Sequence, residues 1–134
     1  MKDIKLGFIG QGWIGKNYAD HYEDRGFPVV RYSQEISYSS NRDTIKDCDI
    51  VFIAVPTPST PEGFDDSIVR EVVSLIGKGK IAIIKSTIIP GTTRSIQEDN
   101  PDIFVLHSPE FLRETSARGD VDKPARNIIG IAKD

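Results

Sequence analysis

Residues 4–15, IKLGFIGQGWIG, place a short apolar run directly before three glycines at the spacing Gly-x-Gly-x-x-Gly. The run from Ile4 to Ile9 has the length and composition of a buried strand, and the residues after the glycines fit a helix to about Arg25, stopped by Gly26. In such a turn the first glycine permits a tight bend, the second lets a ligand approach the main chain, and the third lets helix and strand pack closely. The stretch therefore predicts a strand, a glycine turn and a helix.

The glycine turn predicts a binding site for the pyrophosphate of a dinucleotide. A helix that begins there offers free N–H groups and the positive end of its dipole to an anion. The expected contacts are Gly10, Gly12, Trp13, Ile14 and Gly15. A glycine pattern alone is weak evidence, and an ordinary strand-to-helix turn is the alternative.

Short apolar runs alternate with helix-like stretches along the rest of the chain, which is typical of βαβ units. Further strands are expected at 28–32, 50–55, 81–85, 103–106 and 127–131. The serine-rich residues 33–40 and the proline-rich residues 56–61 are expected to be loops. We therefore predict a Rossmann-like α/β fold: a doubly wound, mostly parallel six-stranded sheet with helices on both faces, in a single dinucleotide-binding domain over residues 1–134.

The composition is that of a folded, water-soluble domain. The 134 residues are 38% hydrophobic and 28% charged, with a formal net charge of −3 at pH 7 and no basic run, so nucleic acid is not an expected partner. The apolar runs are shorter than the ~20 residues that span a bilayer and no signal peptide is recognisable, so we expect a cytoplasmic protein without membrane association. Cys48 is the only cysteine, and neither a disulfide nor a metal site is expected.

The end of the predicted second strand bears on the choice of cofactor. An acid about 20 residues after the glycine turn usually hydrogen-bonds the adenosine ribose. Here that position is Ser33, which brings no charge to repel a 2′-phosphate. We therefore expect NAD as the cofactor with NADP tolerated, and Arg31 or Arg42 near the extra phosphate. The alternative is that Glu35 reaches the ribose instead.

Three further segments, read in order after the glycine turn, carry a family resemblance. They are VPTP at 55–58, KSTIIPGTT at 85–93 and SPEFLRE at 108–114, followed by PARNIIG at 124–130. Together they resemble the N-terminal NAD-binding domain of UDP-glucose/GDP-mannose 6-dehydrogenases over essentially the whole chain. The resemblance implies an oxidoreductase that binds NAD(H) and a nucleotide sugar, UDP-glucose or similar, and converts its C6 alcohol to a carboxylate.

The resemblance also implies roles for the loops that leave the carboxyl ends of the strands, where ligands bind in open α/β sheets. Val55 and Thr57 would lie beside the cofactor, and Ser86 would serve it as well. Thr87 would stand near the nicotinamide and the reacting carbon and help to position a water. The alternatives are a plain turn threonine at 57 and local hydrogen bonds to the main chain at 86 and 87.

Glu110 and Glu114 are four residues apart, so a helical turn would place both carboxylates on one side, about 6 Å apart. Such a pair suits general acid–base chemistry. By resemblance Glu110 is the general base for thioester hydrolysis, and Glu114 contacts cofactor and nucleotide sugar. Phe111, Leu112 and Arg113 would lie along the sugar nucleotide. The alternative is a surface helix with two solvated acids.

The family's chemistry also needs a cysteine that carries a thiohemiacetal and a thioester, in regions after the domain present here. Cys48 precedes the central strand, so we expect it at the amino end of the sheet, opposite the ligand crevice, and not as a nucleophile. His21 is expected on the solvated surface of the first helix, and the family pattern gives His107 no chemistry.

Two hypotheses about function follow from the sequence. The chain is either the cofactor-binding part of a nucleotide-sugar 6-dehydrogenase, not competent for full turnover alone, or a free-standing, non-catalytic nucleotide-binding module. A third candidate, an enzyme of the β-hydroxyacid dehydrogenase group, shares the glycine turn but does not account for residues 110–114.

Overall fold

A computed structural model describes residues 3–132 of the chain. Its strands are β1 (Leu6–Ile9), β2 (Val29–Tyr32), β3 (Ile50–Ile53), β4 (Ser59–Thr60), β5 (Gly63–Phe64), β6 (Ile81–Ile84), β7 (Phe104–His107) and β8 (Gly130–Ile131). Six of these strands form one sheet in the order β2-β1-β3-β6-β7-β8. All neighbours in this sheet are parallel except β7 and β8, which are antiparallel.

Helices cover both faces of the sheet. They are α1 (Trp13–Asp24), α2 (Ile36–Ser39), α3 (Ser67–Val73), α4 (Thr92–Asp99) and α5 (Ala117–Asp122), with 3₁₀ helices at Arg42–Asp47 and Glu114–Ser116. Helix α1 packs on one face and carries α5 against it, whereas α3 and α4 pack on the other face. The predicted doubly wound, mostly parallel six-stranded sheet is confirmed.

Successive side chains along each strand point to opposite faces of the sheet, so two separate hydrophobic cores form. On the α1 face, Phe8 of β1 stacks on Phe52 of β3 with ring centroids 4.9 Å apart. On the opposite face, Val51 and Ile53 are fully buried against side chains of α3 and α4. Because β3 is packed from both sides, it forms the buried centre of the sheet.

The sheet changes direction at β1, which pairs with β2 on one side and with β3 on the other. Ligands in open α/β sheets bind outside the carboxyl ends of the strands at such a point. The turn after β1 and the loops after β3 and β6 all leave the sheet at this edge, so the fold brings together the segments that the sequence singled out.

The structure also corrects several local predictions. Residues 33–40 are not a plain loop: the Ser33 hydroxyl accepts the Glu35 N–H at 3.2 Å, and α2 follows this turn. Within the predicted loop 56–61, Ser59–Thr60 forms β4, which pairs with β5 in an antiparallel hairpin, and Gly63 at the start of β5 has a left-handed φ of +120°. The predicted strand 127–131 is too long, because only Gly130–Ile131 pairs with β7. No helix within residues 3–132 has the length and apolar character needed to cross a membrane.

Candidate active site

Two glycines of the turn after β1 are required by the packing of the protein itself. Gly10 adopts a left-handed φ of +91°, and a Cβ added there would lie 2.2 Å from the Ala54 carbonyl oxygen. A Cβ added at Gly15 would lie 1.9 Å from the carbonyl oxygen of Gly10. Both contacts are impossible for a side chain, so these glycines allow α1 to start directly against β1 and the loop after β3.

Gly12 differs from its neighbours because a Cβ added there would meet nothing within 4 Å. It caps α1 without any side-chain hydrogen bond, and the first bond of the helix runs from the Lys16 N–H to the Gly12 carbonyl at 2.9 Å. The N–H groups of Trp13, Ile14 and Gly15 therefore precede the helical ladder. Open space beside free N–H groups at a helix N-terminus suits a phosphate, so the turn fits a dinucleotide pyrophosphate.

A main cleft of about 560 Å³ opens at this edge of the sheet, between the glycine turn and the loops after β2, β3 and β6. It brings together most of the residues that the sequence assigned to the cofactor: Gly10, Gly12, Trp13, Ile14, Ser33, Val55, Thr57, Ser86 and Thr87. Gly15 lies beneath the turn and contributes through packing, whereas Glu114 does not line the cleft.

The β2 end of the main cleft is formed by Ser33, Gln34 and Glu35. The arginines expected near a 2′-phosphate are elsewhere. The Arg31 guanidinium is held on α1, at 2.8 Å from Asp20 and 2.5 Å from Glu23, and these two carboxylates raise its pKa.

Arg42 is likewise outside the wall of the cleft. Arg31 donates to the Oε1 atom of Gln11, a residue of the cleft wall, at 3.2 Å, so the contact of an arginine with a 2′-phosphate stays a prediction. Glu35, the alternative contact to the ribose, lines the cleft.

Hydrogen bonds join the loops after β3 and β6 to each other. The Val55 N–H donates to the buried Ser86 hydroxyl at 2.9 Å, and that hydroxyl donates to the Val55 carbonyl at 2.8 Å. The Thr57 hydroxyl donates to the Thr87 carbonyl at 2.7 Å. The side chain of Thr87 is exposed and makes no hydrogen bond within residues 3–132. Thr87 is thus the hydroxyl of this group that is left for a ligand.

Glu110 lies at the far end of the main cleft, in the segment after β7. One carboxylate oxygen, Oε1, accepts the N–H groups of Phe111 at 2.8 Å and Leu112 at 2.9 Å. The Tyr18 hydroxyl of α1 donates to the same oxygen at 3.4 Å, and burial together with the Glu110 charge raises the pKa of Tyr18. The other oxygen, Oε2, lies 3.4 Å from the ammonium of Lys85. These contacts therefore fix the position of the Glu110 carboxylate at this end of the main cleft.

This geometry contradicts the expected helical turn over 111–114. Because the Glu110 carboxylate binds the two N–H groups that follow it, the chain leaves in an extended direction, with Arg113 at φ −95° and ψ 131°. Glu114 begins a 3₁₀ helix, is exposed and lines no cavity that contains Glu110. The two carboxylates do not share a helical face.

A second cavity of about 680 Å³ lies on the other side of Glu110, between α1 and residues 109–127. Phe111, Leu112 and Arg113, which the sequence assigned to a nucleotide sugar, line it. Arg113 is tied to Asp120 by hydrogen bonds of 2.8 and 3.2 Å, which lower the pKa of that carboxyl. Lys85 and Glu110 line both the main cleft and the second cavity, so they form the wall between them.

The sequence missed Lys85 and Tyr18 as neighbours of Glu110. Lys85 directly follows the apolar run of β6 and is 5% exposed, so a charged residue at the end of a buried strand was the available signal. Tyr18 lies mid-helix, and nothing in its spacing indicated the contact. His21 is not on the solvated surface as expected: its side chain is 16% exposed and its Nδ1 lies 2.6 Å from Asp122 Oδ1, between α1 and α5.

Cys48 occupies the position that the sequence indicated. It lies just before β3, at the opposite end of the strand from the main cleft, and it is fully buried. Burial raises the pKa of its thiol to about 11, so the thiolate is scarce near neutral pH. Cys48 lines neither the main cleft nor the second cavity.

The fold and the site define a dinucleotide-binding domain of the dehydrogenase type, because a doubly wound sheet places a glycine turn and a helix N-terminus at one ligand cleft. The sequence profile of the UDP-glucose/GDP-mannose dehydrogenase family, NAD binding domain, matches residues 30–134. The chain belongs to this family, and its cofactor is NAD. The predicted family and NAD as its cofactor are confirmed, whereas tolerance of NADP stays a prediction.

Similar proteins share this domain and extend well beyond it. UDP-glucose 6-dehydrogenase of Rhizobium meliloti is 39% identical over 95 residues, which cover 62% of this chain and 22% of that protein. A UDP-glucose dehydrogenase structure from Pyrobaculum islandicum has a TM-score of 0.82 at 25% identity and covers 98% of this chain and 41% of that one. A GDP-mannose dehydrogenase structure from Pseudomonas aeruginosa has a TM-score of 0.78 at 23% identity, covering 94% and 40%. The chain spans less than half the length of these proteins.

Proposed function

We propose that this chain provides the cofactor-binding part of an NAD-dependent oxidoreductase that acts on the C6 hydroxyl of a nucleotide sugar such as UDP-glucose. One observation carries the proposal: the Glu110 side chain lines both the main cleft and the second cavity. Oxidation of an alcohol by a dinucleotide requires a proton acceptor between the two ligands, and a carboxylate at this junction meets that requirement.

The main cleft would hold the cofactor through groups that the chain already presents. The pyrophosphate would lie against Gly12 and the first turn of α1, and the adenosine ribose would face Ser33 and Glu35. Val55 and Thr57 would line the path from the glycine turn toward Thr87. The chemistry that NAD would supply in this cleft is that of a hydride acceptor for the oxidation of an alcohol.

Thr87 and Glu110 are the proposed catalytic residues. The exposed hydroxyl of Thr87 would help to position a water, and Glu110 would accept a proton at its carboxylate as the general base for thioester hydrolysis. Phe111, Leu112 and Arg113 would lie along the nucleotide sugar in the second cavity. The sequence-based contact of Glu114 with cofactor and sugar stays a prediction.

The covalent steps of the family chemistry need a thiol at the junction, and Cys48 is buried at the other end of the sheet. The proposal therefore assigns that thiol to protein outside these 134 residues. We expect the chain alone to bind NAD(H) and to show no sustained NADH production from UDP-glucose or GDP-mannose. Thiol-dependent turnover by the chain alone would contradict this assignment.

Binding of the cofactor is tested by the fluorescence of Trp13, the only tryptophan, which lies in the glycine turn. NADH should quench Trp13 emission and accept energy from it, and calorimetry should give the same dissociation constant. The proposal fails if saturating NAD(H) leaves the emission unchanged and releases no heat. The control is the same titration with adenosine alone, which lacks the pyrophosphate.

Titration of UDP-glucose into the NADH-loaded chain tests the second ligand. Heat release that is lost in Leu112→Asp, a substitution in the wall of the second cavity, would support the nucleotide-sugar role. NADH binding without any response to UDP-glucose or GDP-mannose would favour a non-catalytic nucleotide-binding module.

A further inference from the structure

Lys85 is a buried lysine to which the proposed function gives no role. Its side chain is 6% exposed, and its Nζ lies 3.2 Å from Ser108 Oγ and 3.4 Å from Glu110 Oε2. The same ammonium lies 4.7 Å above the centre of the Tyr18 ring. A lysine is rarely buried to this degree unless an opposite charge compensates its own.

Glu110 supplies that opposite charge. Burial lowers the pKa of Lys85, and the neighbouring Glu110 opposes the shift. The side chain of Glu110 is itself only 11% exposed, which makes this ion pair more deeply buried than others formed within residues 3–132, such as the pair of Arg31 with Asp20. Each charge of the pair is therefore the main compensation for the other.

The two oxygens of the Glu110 carboxylate are held differently. Oε1 accepts the N–H groups of Phe111 and Leu112, whereas Oε2 is buried and accepts no hydrogen bond from any group between residues 3 and 132. The Lys85 ammonium is the charge that this oxygen faces. Without it, the carboxylate would have one oxygen in an uncompensated buried position, and rotation toward water would become favourable.

The pair also lies in a position that matters for two ligands, because Lys85 and Glu110 are shared by the walls of the main cleft and the second cavity. Lys85 reaches this wall from the end of β6, one residue before Ser86 and two before Thr87. The ammonium therefore connects the strand that carries Thr87 to the carboxylate on the neighbouring segment.

We propose that Lys85 is a positioning residue for Glu110: its buried ammonium holds the carboxylate at the junction of the two cavities, so that loss of this charge releases Glu110 from that junction. The inference rests on the proposed function, in which Glu110 acts at that junction. A residue that served only for packing would be replaceable by an uncharged side chain of similar length.

The experiment compares Lys85→Met with wild type by NMR on the full 134-residue chain. Methionine keeps an unbranched side chain of similar length and removes the charge. We expect the Phe111 and Leu112 amides to lose their protection from hydrogen exchange by about tenfold, as for the loss of hydrogen bonds to a charged acceptor. Lys80→Met, which removes a lysine paired with Asp49 at the opposite end of the sheet, is the matched control and should leave both amides unchanged.

A second measurement decides the question if Lys85→Met does not fold. The pKa of Lys85 is followed by the ¹³Cε signal of labelled lysine, and Glu110→Gln should lower it further, because Glu110 is the group that raises it. Asp49→Asn should lower the pKa of Lys80 instead and leave that of Lys85 in place.

The outcomes separate the two proposals. Unchanged Phe111 and Leu112 amides in a folded Lys85→Met chain, or an unchanged Lys85 pKa in Glu110→Gln, would overturn the positioning role. Failure of the proposed function would be seen differently, as wild-type protein that does not respond to NADH while the NMR signals still report the ion pair.

Discussion

At the glycine turn the main cleft is walled by main-chain atoms, whereas at Glu110 it is walled by charged side chains. The first wall comes from residues close together in the sequence, since Gly10 and Gly12, with Gly15 beneath them, lie within six positions of one another. The second is formed by Lys85 and Glu110, which lie on separate segments, and Tyr18 contacts Glu110 from the second cavity. Both walls face the same cleft, but they depend on different forces.

The difference lies in what each wall must exclude. At Gly10 and Gly15, steric overlap forbids side chains, so these two positions of the glycine turn tolerate few substitutions and need no charge. At Glu110, two buried charges must compensate each other, so the wall fails when either is removed alone. Substitutions at Gly10 or Gly15 are therefore expected to destabilise the protein through steric overlap. Substitutions at Lys85 or Glu110 are expected to destabilise it by leaving a buried charge without its partner.

The largest effect is expected from Gly15→Ala. The new Cβ would lie 1.9 Å from the Gly10 carbonyl oxygen, so β1 and α1 could not keep their present approach. We expect a loss of about 3 kcal/mol or more in the free energy of unfolding, measured by urea denaturation. Gly119→Ala in α5 is the matched control, because its Cβ would meet nothing within 4 Å. Equal stability of the two variants would show that the close approach is not required.

The second largest effect concerns the charged wall. Glu110→Gln and Lys85→Met should each cost about 2 kcal/mol in unfolding free energy, because each leaves a buried charge without its partner. The double variant should cost at least about 1 kcal/mol less than the sum of the two. The same cycle on the more exposed pair of Lys80 and Asp49 should give a smaller coupling. If the changes in unfolding free energy of Lys85→Met and Glu110→Gln simply add in the double variant, the two walls do not differ in the way argued above.

Gly12→Ala separates binding from stability within the glycine turn. Since the added Cβ meets no protein atom, the free energy of unfolding in urea should fall by about 1 kcal/mol at most, the cost of alanine at a helix N-cap, and by much less than in Gly15→Ala. The methyl group would occupy space beside the first N–H groups of α1, so the dissociation constant for NADH should rise about tenfold, which corresponds to about 1.4 kcal/mol. Trp13 quenching measures the affinity. Wild-type affinity in this variant would mean that the pyrophosphate does not approach Gly12.

The wall at the glycine turn could be predicted from the sequence. The wall at Glu110 could be predicted only in part. A left-handed turn and a close helix–strand approach require glycine at fixed positions, so Gly10 and Gly15 leave a local pattern. The strands were predictable for a similar reason, because a doubly buried strand such as β3 needs a continuous apolar run.

The contacts of Glu110 leave no such pattern. Tyr18 lies 92 residues from it, and their contact exists only because α1 packs beside the segment after β7. The expected helical turn over 111–114 was wrong for a related reason: spacing suggested a shared helical face, but the carboxylate binds its own following N–H groups. A side chain that competes with helical hydrogen bonding overrides periodicity.

The smallest effect is expected at the β2 end of the main cleft, where Glu35 lies beside the uncharged Ser33. A 2′-phosphate at this end would meet the Glu35 carboxylate, and Arg31 is held away from it by Asp20 and Glu23. The chain should therefore bind NADH more tightly than NADPH, and Glu35→Gln should narrow the ratio of the two dissociation constants by about fivefold, as expected for about 1 kcal/mol of repulsion at an exposed site.

The repulsion should weaken with salt, because the charges are partly exposed, so the ratio in wild type should fall between 0.05 and about 0.5 M salt while that of Glu35→Gln changes less. Glu62→Gln, an exposed acid that does not line the cleft, is the control and should leave the ratio unchanged. If Glu35→Gln keeps the wild-type ratio at low salt, the preference would have to come from the shape of this end of the cleft. In that case the β2 end would resemble the glycine turn, where overlap rather than charge decides what fits.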